Sequence, residues 1–345
     1  MIIFRKEGND MKIGVLGAGT WGMALARMLA NDDYEVMVWS ALAAEIDELN
    51  ETRVQKNLPY MVIPDAIVFT KDIEEVCSDK DIILSAVPSI FVRSTFEKAK
   101  DYIRDGQIIV DVAKGIEADT LFTMSQVISD VLNDGKHENV KIVALSGPTH
   151  AEEVARDMPT TIVSACKDEE AAKKVQDVFM NTCMRVYTND DVLGVELCGA
   201  MKNVIALAAG ISAGLGYGDN AKAAIITRGM VEITRLGLKM GANKDTFPGL
   251  AGIGDLIVTA TSMHSRNNRC GMLIGQGVKP TEAVNQVGMV VEGINALPAA
   301  MKLIDKYQIE MPITAMVDAI VNERIDPKTA VNALMTRDKK NETNL

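Results

Sequence analysis

Ile13-Gly-Val-Leu-Gly17-Ala-Gly19-Thr-Trp-Gly22 is an apolar run that breaks on glycine and passes directly into a helical pattern. The spacing is G-x-G-x-x-G, and each glycine has a physical task in that setting. The first permits a tight turn, the second lets backbone approach a pyrophosphate, and the third lets helix pack on strand. The helix start then offers unpaired N–H groups and the positive end of its dipole to phosphates. A plain tight turn between strand and helix is the alternative. The position near the chain start, and the strand-helix-strand pattern around it, favour dinucleotide binding at Gly17, Gly19 and Gly22.

Outward from this turn, short β-branched runs alternate with helical patterns up to about residue 188. Strands are expected over 12–16, 35–39, 67–69, 81–86, 107–112, 141–145, 160–164 and 184–187. Helices are expected over 21–30, 43–50, 90–100, 121–132 and 169–180. Runs such as Asp81-Ile-Ile-Leu-Ser-Ala-Val87 lack polar alternation, as strands covered on both faces do. From about residue 191 apolar residues recur at helical spacing, with helices expected over 191–210, 220–237, 281–286, 293–307 and 314–322. The fold class is therefore α/β: a Rossmann-type, mainly parallel sheet followed by an all-helical C-terminal domain. The expected organisation is an N-terminal extension over 1–10, a dinucleotide-binding domain over 11–190, a helical substrate domain over 191–336 and a polar tail over 337–345.

The 345 residues carry a net charge of -11, which repels nucleic acid and anionic membrane alike. Any phosphate site must then be built from a few locally placed cations. Cys77, Cys166, Cys183, Cys198 and Cys270 are scattered, odd in number and never spaced C-x-x-C, which suggests a reduced protein. His137, His150 and His264 are far apart and give no metal-ligand spacing, so no metal is expected. The first ten residues lack the apolar core of a signal peptide, and the apolar run 204–215 is too short to span a bilayer. A cytoplasmic protein with no integral membrane association is expected.

The second half of the dinucleotide fingerprint is missing. An acidic residue about 20 positions on normally grips the adenosine ribose 2′-OH. Here the second strand ends Val38-Trp39-Ser40-Ala41-Leu42, with neither carboxylate nor arginine. Ser40 could bond a hydroxyl or a phosphate, so these residues do not choose between NAD and NADP.

Lys114 follows a strand in Val110-Asp-Val-Ala-Lys114-Gly115, at the sheet edge where ligands bind in open parallel sheets. Surface solvation is the alternative. Lys202 lies inside an apolar, small-residue run from Val195 to Gly210. Burying an ammonium lowers its pKa and poises it for proton transfer near neutral pH. The alternative is a lysine snorkelling from the helix rim. Two glycine-dense stretches follow, Gly214-Leu-Gly-Tyr-Gly218 and Gly249-Leu-Ala-Gly-Ile-Gly254-Asp255. Then Thr261-Ser-Met-His-Ser265-Arg266-Asn267-Asn268-Arg269 offers guanidinium, hydroxyl and amide donors that suit a phosphate, or else forms a polar loop.

These segments, in this order, resemble the NAD(P)-dependent glycerol-3-phosphate dehydrogenases of the bacterial type. The matching stretches are Gly17-Ala-Gly-Thr-Trp-Gly22, Ala86-Val-Pro-Ser89, Ala113-Lys-Gly-Ile-Glu117, Ser146-Gly-Pro-Thr149 and Glu196-Leu-Cys-Gly-Ala-Met-Lys-Asn-Val204. They continue with Gly216-Tyr-Gly-Asp-Asn-Ala-Lys222, Ile226-Thr-Arg-Gly229, Gly249-Leu-Ala-Gly-Ile-Gly-Asp-Leu256, Ser265-Arg-Asn267 and Val290-Val-Glu-Gly293.

The resemblance implies interconversion of dihydroxyacetone phosphate and sn-glycerol 3-phosphate with NAD or NADP, supplying phospholipid synthesis. Lys202 would be the proton donor and acceptor at the substrate C2 oxygen. Lys114, Gly147, Thr149, Asp255, Ser265, Arg266 and Asn267 would hold the substrate. Thr20, Trp21, Lys114, Ala151, Arg266, Val290 and Glu292 would contact the cofactor beside the three glycines. Partners are expected to be the small-molecule substrate alone, with no nucleic acid; a homodimer stays open. Two departures stand out: Ala41 where many relatives carry a basic residue, and His150 where Phe is frequent. The rival readings are another two-domain β-hydroxyacid dehydrogenase or ketoacid reductase, and a non-catalytic NAD(H)-sensing protein.

Overall fold

The structure, a computed structural model, describes residues 11–180 and 182–342. The expected extension over 1–10 lies outside the described residues, as do the last three positions of the tail. The chain divides into two compact units. One takes the residues through Ala113 with Ser125–Leu145 and Thr149–Asp190. The other takes Lys114–Met124, Ser146–Pro148 and Asp191–Leu345.

The first unit is built on an eight-stranded sheet. Its strands are β1 (Lys12–Leu16), β2 (Glu35–Trp39), β3 (Val68–Thr70), β4 (Ile82–Ser85), β5 (Ile108–Asp111), β6 (Lys141–Ser146), β7 (Thr160–Ala165) and β8 (Met184–Asn189). They lie in the order β3-β2-β1-β4-β5-β6-β7-β8. The pairings from β3 through β2, β1, β4 and β5 to β6 are all parallel, and β7 pairs parallel with β8. The order 3-2-1-4-5-6 is doubly wound and reverses between β1 and β4, which places the ligand crevice at the carboxyl ends of those strands. Every residue of β4 and β5 is buried, which is why their sequences show no polar alternation.

Each expected strand is present, shifted by at most two residues at an end. Two short helices, Ile73–Cys77 and Ala151–Val154, escape the sequence because neither is long enough to show periodicity. The helix expected over 121–132 begins only at Met124. Leu121 sits at φ 63°, and Ile116 bridges to Thr123, so the residues before the helix form a small hairpin instead.

The second unit is helical and is organised around Val192–Gly214. Asp191 caps this helix by accepting from the Gly194 N–H at 3.0 Å. All residues from Gly194 to Ser212 are buried, as befits a helix apolar on every side. Helices Asp219–Met240, Asp255–Thr261, Arg266–Gly275, Glu292–Tyr307 and Pro312–Val321 pack against it. The helix runs four residues beyond the expected end, so the sequence reading of 204–215 as too short to span a bilayer is corrected. At 23 residues, with a mean hydropathy of 1.6 over its most apolar 18-residue stretch, it is long and apolar enough by that test. Its most apolar stretch is 89% buried within the protein, which accounts for the composition. A further correction concerns 261–269, where the polar-loop alternative gives way to the start of Arg266–Gly275, with Ser265 as its cap.

One buried carboxylate joins two of these helices. Glu232, on Asp219–Met240, accepts from the Ile313 N–H at 2.6 Å, the Thr314 N–H at 3.0 Å and the Thr314 hydroxyl at 2.9 Å. It thereby caps Pro312–Val321 from outside that helix. Burial pushes the Glu232 carboxyl above the usual carboxylate range, against the pull of its three donors. Glu232→Ala would leave two buried N–H groups without their acceptor. Urea unfolding should show a loss of about 3 kcal/mol, and stability at the wild-type value would contradict this capping role.

Candidate functional site

The glycine turn behaves as its spacing requires. Gly17 adopts φ 120°, and a Cβ there would lie 2.8 Å from the Ala86 carbonyl oxygen. A Cβ on Gly22 would fall 2.0 Å from the Gly17 oxygen, so helix Thr20–Asn31 can sit this close only through glycine. Gly19 is exposed with nothing within 4 Å of a Cβ position, and as the cap residue it supplies no side chain to the helix start. The first turn holds no acidic residue. An open helix start beside an unencumbered backbone fits a pyrophosphate. Thr20 and Trp21 open this helix and are half-buried. Thr149 and Ala151 lie just past β6, with Ala151 beginning Ala151–Val154.

In the helical unit, Asp255 gathers the charged groups. It comes directly after one turn of π-helix, Leu250–Gly254, and opens helix Asp255–Thr261. Such turns recur at functional sites, because the widened backbone re-aims the side chains of the next helical turn. The glycine-dense 249–254 stretch is that turn. Asp255 is fully buried, yet two ammonium groups reach it. Lys202 Nζ lies 2.9 Å from Oδ1, and Lys114 Nζ lies 2.6 Å from Oδ2. Lys114 also donates to the Gly147 carbonyl at 3.1 Å. Lys202 donates to the Thr259 hydroxyl at 2.6 Å, and that hydroxyl donates to the Asp255 carbonyl at 2.7 Å.

Lys202 is 5% exposed, which sets aside the snorkelling alternative. Desolvation is the main cause that lowers its pKa from 10.5 to about 8. The Asp255 carboxylate opposes that fall, while the charges of Lys114 and Arg266 add to it. Two lysines against one carboxylate leave the cluster net positive, and Arg266 adds a further charge. This is the local cation set that an acidic chain needs to hold a phosphate.

Around this cluster the sequence-expected residues divide. Lys114, Gly147, Lys202 and Asp255 meet directly. Arg266 opens helix Arg266–Gly275 close enough for its charge to act on Lys202. Ser265 Oγ accepts from the Asn268 N–H at 3.2 Å, so its lone pair serves the helix cap. The Asn267 side chain is turned inward. Its Oδ1 accepts from the Gly293 N–H at 2.8 Å, and its Nδ2 donates to Asn203 Oδ1 at 2.9 Å. Asn203 in turn donates to the Gly199 carbonyl at 3.2 Å. Asn267 thus ties the first turn of Glu292–Tyr307, next to Val290 and Glu292, to the residue after Lys202.

Thr259 and Asn203 were missed by the sequence reading. Thr259 stands one helical turn after Asp255, and that spacing was the available signal. Among the described residues no group of His, Cys, Asp and Glu is placed to hold a metal ion. A buried amine that titrates near neutrality, fixed within a cluster of cations, can move a proton to or from an anionic substrate's oxygen.

The comparisons with known proteins agree with this geometry. The family model described as NAD-dependent glycerol-3-phosphate dehydrogenase N-terminus matches residues 12–172, and that of the C-terminus matches 191–332. A protein of Lactobacillus delbrueckii subsp. bulgaricus named glycerol-3-phosphate dehydrogenase [NAD(P)+] 2 is 70% identical over 96% of this chain and 98% of its own length. A glycerol-3-phosphate dehydrogenase [NAD(P)+] of Agathobacter rectalis is 50% identical over 95% of this chain and 97% of its own. The crystal structure of glycerol-3-phosphate dehydrogenase from Coxiella burnetii superposes with a TM-score of 0.91 at 36% identity, covering 95% of this chain and 99% of that one. The chain belongs to the NAD(P)-dependent glycerol-3-phosphate dehydrogenase family.

Proposed function

We propose that this protein is a cytoplasmic NAD(P)-dependent glycerol-3-phosphate dehydrogenase, interconverting dihydroxyacetone phosphate and sn-glycerol 3-phosphate and supplying the latter to phospholipid synthesis. The observation that carries this reading is the Lys202 ammonium, buried against Asp255 with its pKa lowered to about 8, in a chain whose two halves both match the family. Residues 11–190 are taken as the dinucleotide-binding domain and 191–336 as the substrate domain.

The nicotinamide, when bound, supplies or accepts the hydride at the substrate C2 carbon. Gly17, Gly19, Thr20, Trp21, Gly22, Lys114, Ala151, Arg266, Val290 and Glu292 would hold the cofactor. As the C2 carbonyl is reduced, negative charge grows on its oxygen. Lys202 stabilises that charge and transfers its proton there; in the reverse direction the neutral amine takes the proton back. Asp255 keeps the amine in position, and its second oxygen holds Lys114 beside the same substrate. Gly147, Thr149 and Ser265 line the substrate. Arg266 holds the phosphate at the start of its helix, with the Asn267 segment alongside. That remote binding orients the carbonyl for reaction.

Steady-state assays of NADH and NADPH oxidation with dihydroxyacetone phosphate test the reading; turnover of unphosphorylated ketones instead would contradict it. Lys202→Ala should lower kcat by roughly 100-fold or more, and an unchanged kcat would remove Lys202 from the mechanism. Arg266→Ala should chiefly raise KM for the phosphorylated substrate. A level KM with lowered thermal stability would make Arg266 structural. Because reduction needs the protonated amine, reductive kcat/KM should fall as pH rises through about 8. Oxidative kcat/KM should rise through the same range, and parallel profiles for both directions would contradict the assignment.

A further inference from the structure

We infer that Glu45 is a specificity-determining residue that makes this enzyme prefer NADH over NADPH. The inference rests on the reading that the glycine turn holds the cofactor. The carboxylate that the sequence lacks at the end of β2 arrives instead from the next helix. Glu45 lies in the first turn of Ala43–Thr52, and the Ser40 hydroxyl donates to its Oε2 at 2.6 Å. Ser40 is buried and its oxygen also accepts from the Leu42 N–H at 3.2 Å. With its one proton committed to Glu45, the Ser40 hydroxyl orients the acid and offers no donor to a phosphate.

A second observation joins this carboxylate to the glycine turn. The Gly17 N–H donates to the Trp39 carbonyl at 2.8 Å, so the turn is fastened to the residue that precedes Ser40. In a doubly wound sheet the group at this end of the second strand meets the adenosine ribose. An acid there bonds the 2′-OH of NAD and opposes the 2′-phosphate of NADP. The cations at the same sheet edge are engaged elsewhere. Trp39 pairs with Thr70, so Lys71 comes next to Ser40, but its ammonium lies 2.5 Å from Asp47 Oδ1. Arg53 donates to the Ile67 and Pro64 carbonyls and lies over the Phe69 ring. Ala41 and Leu42 contribute no charge. Like charges brought together at a binding surface suppress the wrong partner strongly.

The test is titration of NADH and NADPH into the substrate-free enzyme, monitored by nucleotide fluorescence. The wild type should bind NADH roughly 100-fold more tightly than NADPH. Glu45→Gln should bring that ratio down about tenfold or more, mainly by tightening NADPH. Ser40→Ala, which frees the acid without removing it, should narrow the ratio less. Circular dichroism checks that both variants keep the fold. Equal binding of the two nucleotides by the wild type, or a ratio unmoved in folded Glu45→Gln, overturns the inference. Binding of neither nucleotide overturns it together with the cofactor reading, and so is told apart from a failure of Glu45 alone.

Discussion

The helical unit depends on one buried carboxylate that pairs with two ammonium groups, one buried and one partly exposed. Asp255 is fully buried and gives one oxygen to Lys202 and the other to Lys114. Taking charges out of water is costly, and removing one partner of a buried pair leaves the others uncompensated. The arrangement is therefore demanding as well as useful. Lys202 comes from the central helix, Lys114 from the segment after β5, and Asp255 from the turn of π-helix before Asp255–Thr261. Thr259, one turn along, adds a hydroxyl as a second acceptor for the Lys202 amine. Three segments far apart in sequence converge on a single acid.

The same convergence explains the chemistry. A lysine in water holds its proton too tightly to trade it near neutral pH. Burial brings the Lys202 pKa down to about 8, while Asp255 limits how far it falls. With Arg266 close by, the cluster is cationic within a chain of net charge -11. A phosphorylated substrate finds its charge complement there, and an oxygen gaining negative charge finds a donor.

Much of the fold could be read directly from residue pattern. The glycine spacing, the unalternating strands and the helical period after residue 191 each reflect a local constraint, and the strands fall where expected. Several of the features that escaped were set by contacts between distant segments. Helix Arg266–Gly275 is polar enough to look like a loop, and only its burial against the central helix reveals it. Lys202 was legible as a charge out of place, but its partner stands 53 positions on and no helical spacing links the two. The bonds from the Asn267 amide to Asn203 and Gly293 join segments 64 and 26 positions away, and no local spacing announces them. Glu45 leaves no mark at the strand end, because its carboxylate reaches back to Ser40 from the first turn of the next helix.

The state of the Lys202 amine is open to direct observation. Lysine side chains labelled with carbon-13 at the ε position can be tracked by NMR across the pH range, with Lys202→Arg identifying the resonance. A midpoint close to 8 for that one lysine is the expected result. Titration at the ordinary value of 10.5 would mean that burial does not prevail over the pull of Asp255, and the proton-transfer role near neutral pH would fall.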